Sequence, residues 1–249
     1  MEGVRLVEEA LAAGWQSRMA LYTEELSERG WQALEGLSAQ GAPMEQVTTP
    51  VMRAASDTET PQGLLAVLDW RALPLPARLD FVFIPDRVRD PGNLGTMLRT
   101  AAAAGVQAVF LPPETVEAWS PKVVRAGMGA HFRLPMLSLG WEEIGDRVKP
   151  LQVYLAATGE GLPYTKADFR AALALIVGGE AEGVGPEARR LATACMHIPM
   201  VDGSESLNAA VAAGVLMFEA ARQRGAEGDD VPGAGGSGVE VPGVKRGNE

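Results

Sequence analysis

Asparagine, arginine, glutamate and serine side chains sit beside glycine-rich turns at three places in this chain where spacing suits a binding site. They are DPGNLGTMLRTA at Asp90 to Ala101, IVGGEAEGVG at Ile176 to Gly185, and IPMVDGSESLNAA at Ile198 to Ala210. Each joins an apolar run to a turn that displays backbone N–H groups or a few polar side chains, the usual makeup of a ligand site. In the first, Asp90-Pro91-Gly92-Asn93 reads as a turn and helix entry: Asp90 or Asn93 accepts backbone N–H bonds, and Gly92 permits a positive φ. Arg99 then lies about 9 Å along the helix axis from Asn93, and helical side chains lean toward the N-terminus, so the guanidinium can approach the asparagine. A capping asparagine with a solvated arginine explains the same spacing.

In the second stretch an apolar strand ends in Gly178-Gly179-Glu180. Glycines let the backbone approach a ligand or another segment, though a purely structural turn uses them in the same way. A carboxylate at the end of a buried strand costs desolvation unless it accepts hydrogen bonds, which places Glu180 among the candidates. In the third, Ser204 or Ser206 caps a helix whose early residues are Leu207 and Asn208. The small residues that follow, Ala209, Ala210, Ala212, Ala213 and Gly214, admit another backbone. An ordinary alanine-rich amphipathic helix explains the alanines, but not an SLN entry directly after an IPM strand end.

The elements that must position these residues fall into two sets. The first alternates a helix near Val4 to Ala13, a strand near Met19 to Tyr22, a helix near Glu24 to Leu37, a strand at Gln46 to Thr49, a helical turn from Pro50 to Ala55 and a strand at Leu64 to Leu68. Leu73-Pro74-Leu75-Pro76 then breaks both periodicities and favours an extended connector. From Phe81 the pattern becomes strand-turn-helix: FVFI, a helix from about Asn93 to Ala104, AVFL at Ala108 to Leu111 and a helix near Lys122 to Gly127. Strands at Gln152 to Ala156, Ala172 to Gly178 and Cys195 to Ile198 follow, with a final helix from about Ser206 to Arg222. Such alternation implies a parallel sheet covered on both faces, with ligands at the carboxyl ends of its strands. The expected organisation is a small α/β domain over 1–72, a linker over 73–80, an α/β parallel-sheet domain over 81–224 and a disordered tail over 225–249, rich in Gly, Pro and charge.

Composition narrows the function classes. The 249 residues, 47% hydrophobic, describe an ordinary globular chain, and no apolar run reaches the roughly 18 residues of a membrane span. The N-terminus lacks the pattern of a signal peptide, so a cytoplasmic location is expected. One cysteine, Cys195, excludes an internal disulfide framework, and two isolated histidines, His131 and His197, offer no metal site. A net charge of −10 argues against nonspecific coating of nucleic acid. Yet Arg87, Arg89, Arg99, Lys122, Arg125 and Arg133 make one segment basic, either as solvated helix faces or as an RNA-facing patch. GAGGSG at Gly233 to Gly238 matches a dinucleotide-binding pattern but has neither strand before it nor helix after it, and no GxxxxGK[ST] phosphate loop occurs.

The ordered set DPGNLGTMLRTA, GGEAEG and IPM…SLNAAVA resembles the three motifs of the SpoU, or TrmH, family of RNA 2'-O-ribose methyltransferases in the SPOUT superfamily. The likeness spans roughly Phe81 to Arg222 and includes Ser120-Pro121-Lys122 and the run Arg125 to Ala130. VRLVEEAL and the Ser56 to Leu68 stretch are similar to the family's small RNA substrate-binding domain. The resemblance implies a C-terminal SPOUT domain with a deep trefoil knot, a homodimer, and S-adenosyl-L-methionine as methyl donor. By the same resemblance Asn93, Arg99, Glu180, Ser206 and Asn208 are catalytic or site-shaping, and Gly178, Gly179, Ile198, Ser206 and Leu207 bind the cofactor. Metal is not required. The implied substrate is ribosomal RNA in preference to transfer RNA. Arg99 is cast there as the proton acceptor, but guanidinium is protonated at any physiological pH, so orienting the ribose and an adjacent phosphate is the preferred role, with a direct base role left open. Two rivals are a base methyltransferase of the same superfamily and a noncatalytic RNA-binding or ribosome-assembly protein on the same fold.

Overall fold

The computed structural model describes residues 1–179, 183–201 and 206–225. Glu180, Ser204 and the tail expected after Gly225 therefore lie outside the described residues. The N-terminal part comprises α1 (Val4–Ala12), β1 (Ser17–Tyr22), α2 (Glu28–Ala39), β2 (Met44–Gln46), α3 (Thr49–Ala55) and β3 (Leu64–Leu68). Its three strands form a sheet of order β2-β1-β3, with β1 parallel to β2 and antiparallel to β3. Val4, Val7, Ala33, Leu34 and Leu37 from α1 and α2 pack with Ala20, Leu64 and Ala66 of the sheet. Helix α2 begins four residues later than the sequence pattern suggests, because Ser27 accepts the Gly30 N–H at 3.1 Å and caps it there.

No helix or strand lies between Leu68 and Phe81. The second part then runs β4 (Phe81–Asp86), α4 (Pro91–Ala103), β5 (Ala108–Leu111), α5 (Pro121–Gly127), β6 (Met136–Ser138), α6 (Trp141–Val148), β7 (Gln152–Ala156) and β8 (Leu162–Pro163). It ends with β9 (Leu173–Gly178), α7 (Pro186–Leu191), β10 (Ala194–His197) and α8 (Ala209–Gly225). Seven strands form one sheet of order β6-β5-β4-β9-β7-β10-β8, and every pairing is parallel, as the strand-helix alternation implied. A sheet covered on both faces needs apolar residues on both, which is why all six residues of β4 are buried. Period-2 alternation splits them: Phe81 and Phe83 join Leu94, Met97 and Leu98 of α4 and Leu216 and Met217 of α8, while Val82 and Ile84 join Ile144 and Val148 of α6. The short β6 and β8 and helix α6 were not marked by the sequence reading.

The two parts share a seam. Trp15 is buried and donates its indole N–H to the Phe132 carbonyl at 3.1 Å, stacks edge-on to Phe132, and packs with Leu6 and Ala10. Glu9 pairs with Arg133 at 2.5 Å beside it. A tryptophan whose polar tip crosses to another layer orients that layer as well as burying area.

Candidate active site

The carboxyl ends of β7, β9 and β10 and the entry to α8 enclose a cleft of about 490 Å³. Ala156, Val177, Met196 and Leu216 give it apolar walls, and Gly178, Gly179, Ile198, Ser206, Leu207 and Asn208 line it as well. All five cofactor-binding candidates thus reach one cavity, although three come from sequence positions about twenty residues or more beyond the others. Such a volume with mixed lining is typical of a small-ligand site.

The glycines here are set by close backbone approach. A Cβ on Gly178 would meet Gly183 C at 2.6 Å and Val184 N at 2.8 Å, and one on Gly179 would meet the Arg87 carbonyl oxygen at 2.2 Å. Gly179 and Gly183 face each other across an antiparallel bridge, so the chain folds back on itself at the cleft mouth. Gly92, by contrast, needs no positive φ, because it lies within the first turn of α4. Asp90 is the cap: its Oδ1 accepts the Asn93 N–H at 2.8 Å, and Pro91 fills the first helical position, where a missing N–H costs nothing.

With Asp90 capping, the Asn93 side chain is released to face the other helix. Its Oδ1 accepts a hydrogen bond from Asn208 Nδ2 at 3.1 Å. The Asn208 Oδ1 accepts from Ala210 N at 2.9 Å and Val211 N at 3.2 Å, so the amide has one permitted orientation and its NH2 must point toward Asn93. Asn208 is therefore the cap of α8, and the helix starts at Ala209, three residues later than the expected start at Ser206. The two asparagines stand at the entries of α4 and α8, helices that pack against each other; a Cβ on Gly214 would lie 3.6 Å from Thr100 Cγ2. Arg99 is exposed on α4, outside the cleft wall, and makes no ion pair or hydrogen bond with a described residue.

Three wall residues escaped the sequence reading. Arg189 on α7 forms a two-pronged pair with Glu160 at 2.8 and 3.2 Å, and this bond holds the Glu160 carboxyl below its usual range. His197 donates from Nδ1 to the Glu160 carbonyl at 3.2 Å. Isolated charges 29 residues apart carry no local signal of pairing. Among the described residues no group of His, Cys, Asp and Glu could hold a metal ion, and no helix is long and apolar enough to cross a membrane.

Comparison with known proteins places this geometry. Residues 80–218 match the model of the SpoU rRNA Methylase family, and residues 1–66 match that of an MRM3-like substrate binding domain. A zebrafish protein named rRNA methyltransferase 3A, mitochondrial, is 37% identical over 90% of this chain, which spans 63% of that protein's length. The Bacillus subtilis protein named 23S rRNA (guanosine(2553)-2'-O)-methyltransferase RlmP is 36% identical, covering 88% of this chain and 86% of its own. Among solved structures, the Streptomyces viridochromogenes SpoU methyltransferase AviRb in complex with AdoMet superposes with a TM-score of 0.79 at 28% identity, covering 91% of this chain and 90% of its own. An AdoMet-bound rRNA methyltransferase from Sinorhizobium meliloti gives a TM-score of 0.78 at 31% identity, covering 89% of this chain and 86% of its own.

Proposed function

This chain belongs to the SpoU rRNA methylase family, and on that premise we propose that it transfers a methyl group from S-adenosyl-L-methionine to a ribose 2'-hydroxyl of ribosomal RNA. The observation that carries this reading is the Asn208 to Asn93 hydrogen bond, which joins the entry of α4 to the wall of the glycine-lined cleft. The cleft suits the donor: Gly178 and Gly179 leave backbone where a side chain would intrude, and the apolar walls suit an adenine ring. When bound, S-adenosyl-L-methionine supplies a methyl group on a positively charged sulfur.

The chain's own residues have these roles in the proposal. Gly178, Gly179, Ile198 and Leu207 offer backbone groups to the cofactor, with Ser206 beside them on the wall. Asn93 and Asn208 fix each other and the helix entries between which the ribose is received. Arg99, exposed on α4, holds the ribose and a neighbouring phosphate through its planar fork of donors. Glu180 is assigned to the same site on the resemblance alone. The N-terminal domain is the RNA reader, because a 2'-hydroxyl occurs in every nucleotide and selection must come from RNA shape and flanking contacts.

A homodimer and a trefoil knot belong to the same proposal. Val211 and Phe218 on α8, each 52% exposed, are the apolar surface that supports a second copy. The placing of β10 between β7 and β8, with Ile198, Met200, Ser206 and Leu207 lining the same cleft as Gly178 and Gly179, supports the threading. A cytoplasmic location belongs to the same proposal. The domain limits of 1–72, 73–80, 81–224 and 225–249 are proposed with it.

Calorimetry with S-adenosyl-L-methionine, followed by transfer of a labelled methyl group to ribosomal RNA, tests the reading; no binding at high micromolar cofactor overturns it. Asn208→Asp is a finer probe, since the carboxylate still caps α8 but loses the donor to Asn93. Turnover is expected to fall about tenfold with Tm little changed. A melting point that drops in step with turnover removes the asparagine pair from the mechanism.

A further inference from the structure

Asp86, the last residue of β4, is 1% exposed and lies outside the cleft wall. It touches the glycine-rich turn at both ends. Its main-chain oxygen accepts the Gly179 N–H at 2.8 Å, and its Oδ2 accepts the Gly185 N–H at 2.6 Å. Beside those contacts Gly178, Gly179, Gly183 and Val184 line the cleft, Gly179 and Gly183 form an antiparallel bridge, and α7 starts directly after Gly185. The neighbouring Arg87 has φ +56°, and this left-handed corner brings its carbonyl against Gly179. One residue thus brackets a turn whose two ends share no strand with each other.

The bracket is costly. The Asp86 Oδ1 is buried and has no hydrogen-bond partner among the described residues. Burial pushes the carboxyl above its ordinary range; the Gly185 N–H and the Arg87 charge pull it down, while Glu114 and Glu187 push it up. A carboxyl whose pKa is raised on folding favours the fold below its unfolded pKa, and that contribution is lost as pH rises through the folded value. Folding thus disfavours the ionised form of this side chain. A residue kept at such cost, gripping a ligand-lining turn, fits function better than stability.

We propose that Asp86 is a positioning residue for methyl transfer, whose main chain and carboxylate hold Gly179 and Gly185, and with them the cleft-lining Gly183 and Val184, where the methyl donor is received. It acts through backbone amides and touches neither cofactor nor RNA. The assignment rests on the function proposed above.

The test is Asp86→Asn in the full chain, read by melting and by S-adenosyl-L-methionine calorimetry and kinetics. The asparagine keeps the shape and a neutral acceptor for the Gly185 N–H, but removes the charge that strengthens that bond and puts an NH2 where the buried Oδ1 stood. We expect Tm of the ligand-free protein to be unchanged or higher, Kd and KM for the cofactor to rise about tenfold, and kcat to stay within about twofold. Unaltered affinity, or affinity and Tm falling together as a merely structural residue gives, overturns the assignment. If the variant does not fold, amide hydrogen exchange on the wild type decides: a protected Gly185 amide supports the bracket, and exchange at an unprotected rate overturns it. Failure of the wild type to bind S-adenosyl-L-methionine is a different result, which removes the function first and this role with it.

Discussion

Arg99→Lys is expected to lower methyl-transfer turnover by about 100- to 1,000-fold while leaving S-adenosyl-L-methionine affinity within about twofold. The separation follows from where the side chain stands. Arg99 is exposed on α4 and absent from the cleft wall, so cofactor binding has no direct use for it. It makes no bond to a described residue, so the fold has little use for it either. What remains is the incoming RNA. A guanidinium offers five donors in a rigid plane and can hold a ribose oxygen and a phosphate together; an ammonium keeps the charge but not the fork. The lysine variant therefore separates charge from geometry. A loss that disappears at saturating RNA assigns Arg99 to binding alone, whereas a loss in kcat places it at the reacting ribose. Unchanged turnover removes it from the mechanism.

Much of this arrangement is readable from local sequence, for identifiable reasons. Strands β4 and β9 announce themselves as apolar runs because a parallel sheet buries both their faces. Asp90-Pro91 marks the start of α4 because each residue satisfies a constraint of a helix entry that few others meet. Local rules fail where several residues satisfy the same constraint. Ser204, Ser206 and Asn208 are all good caps, and the choice of Asn208 is made by Asn93, 115 positions away. They fail again at Asp86. An aspartate after a strand reads as a solvated turn residue, and its burial depends on a glycine amide 99 residues further along. The Glu160 to Arg189 pair on the cleft wall is hidden for the same reason. The three motifs, then, disclose residues that come together at one cleft, while Asp86 and the Glu160 to Arg189 pair beside it are visible only in the folded chain.

Gly178→Ala carries the other large effect, and it concerns the cofactor alone. A single methyl group placed there would lie 2.6 Å from Gly183 C, 2.8 Å from Gly183 O and 2.8 Å from Val184 N. All three atoms are backbone, so no side chain can rotate to make room, and the turn must open. Gly178 is also tied to its neighbours, since it pairs with Asp86 at the end of the β4 and β9 ladder. Opening the turn moves Gly179, which lines the same cleft and is held by the Asp86 carbonyl. Overpacking of this kind costs about 1–3 kcal/mol, and here it falls on the cleft wall. If that cost falls on binding, cofactor affinity is expected to drop about 5- to 150-fold. The variant should stay folded, because the cores on both faces of the sheet lie beneath the turn and do not include Gly178. Calorimetry on folded Gly178→Ala protein supplies the measurement, and wild-type affinity there means that the cofactor does not lie against this turn.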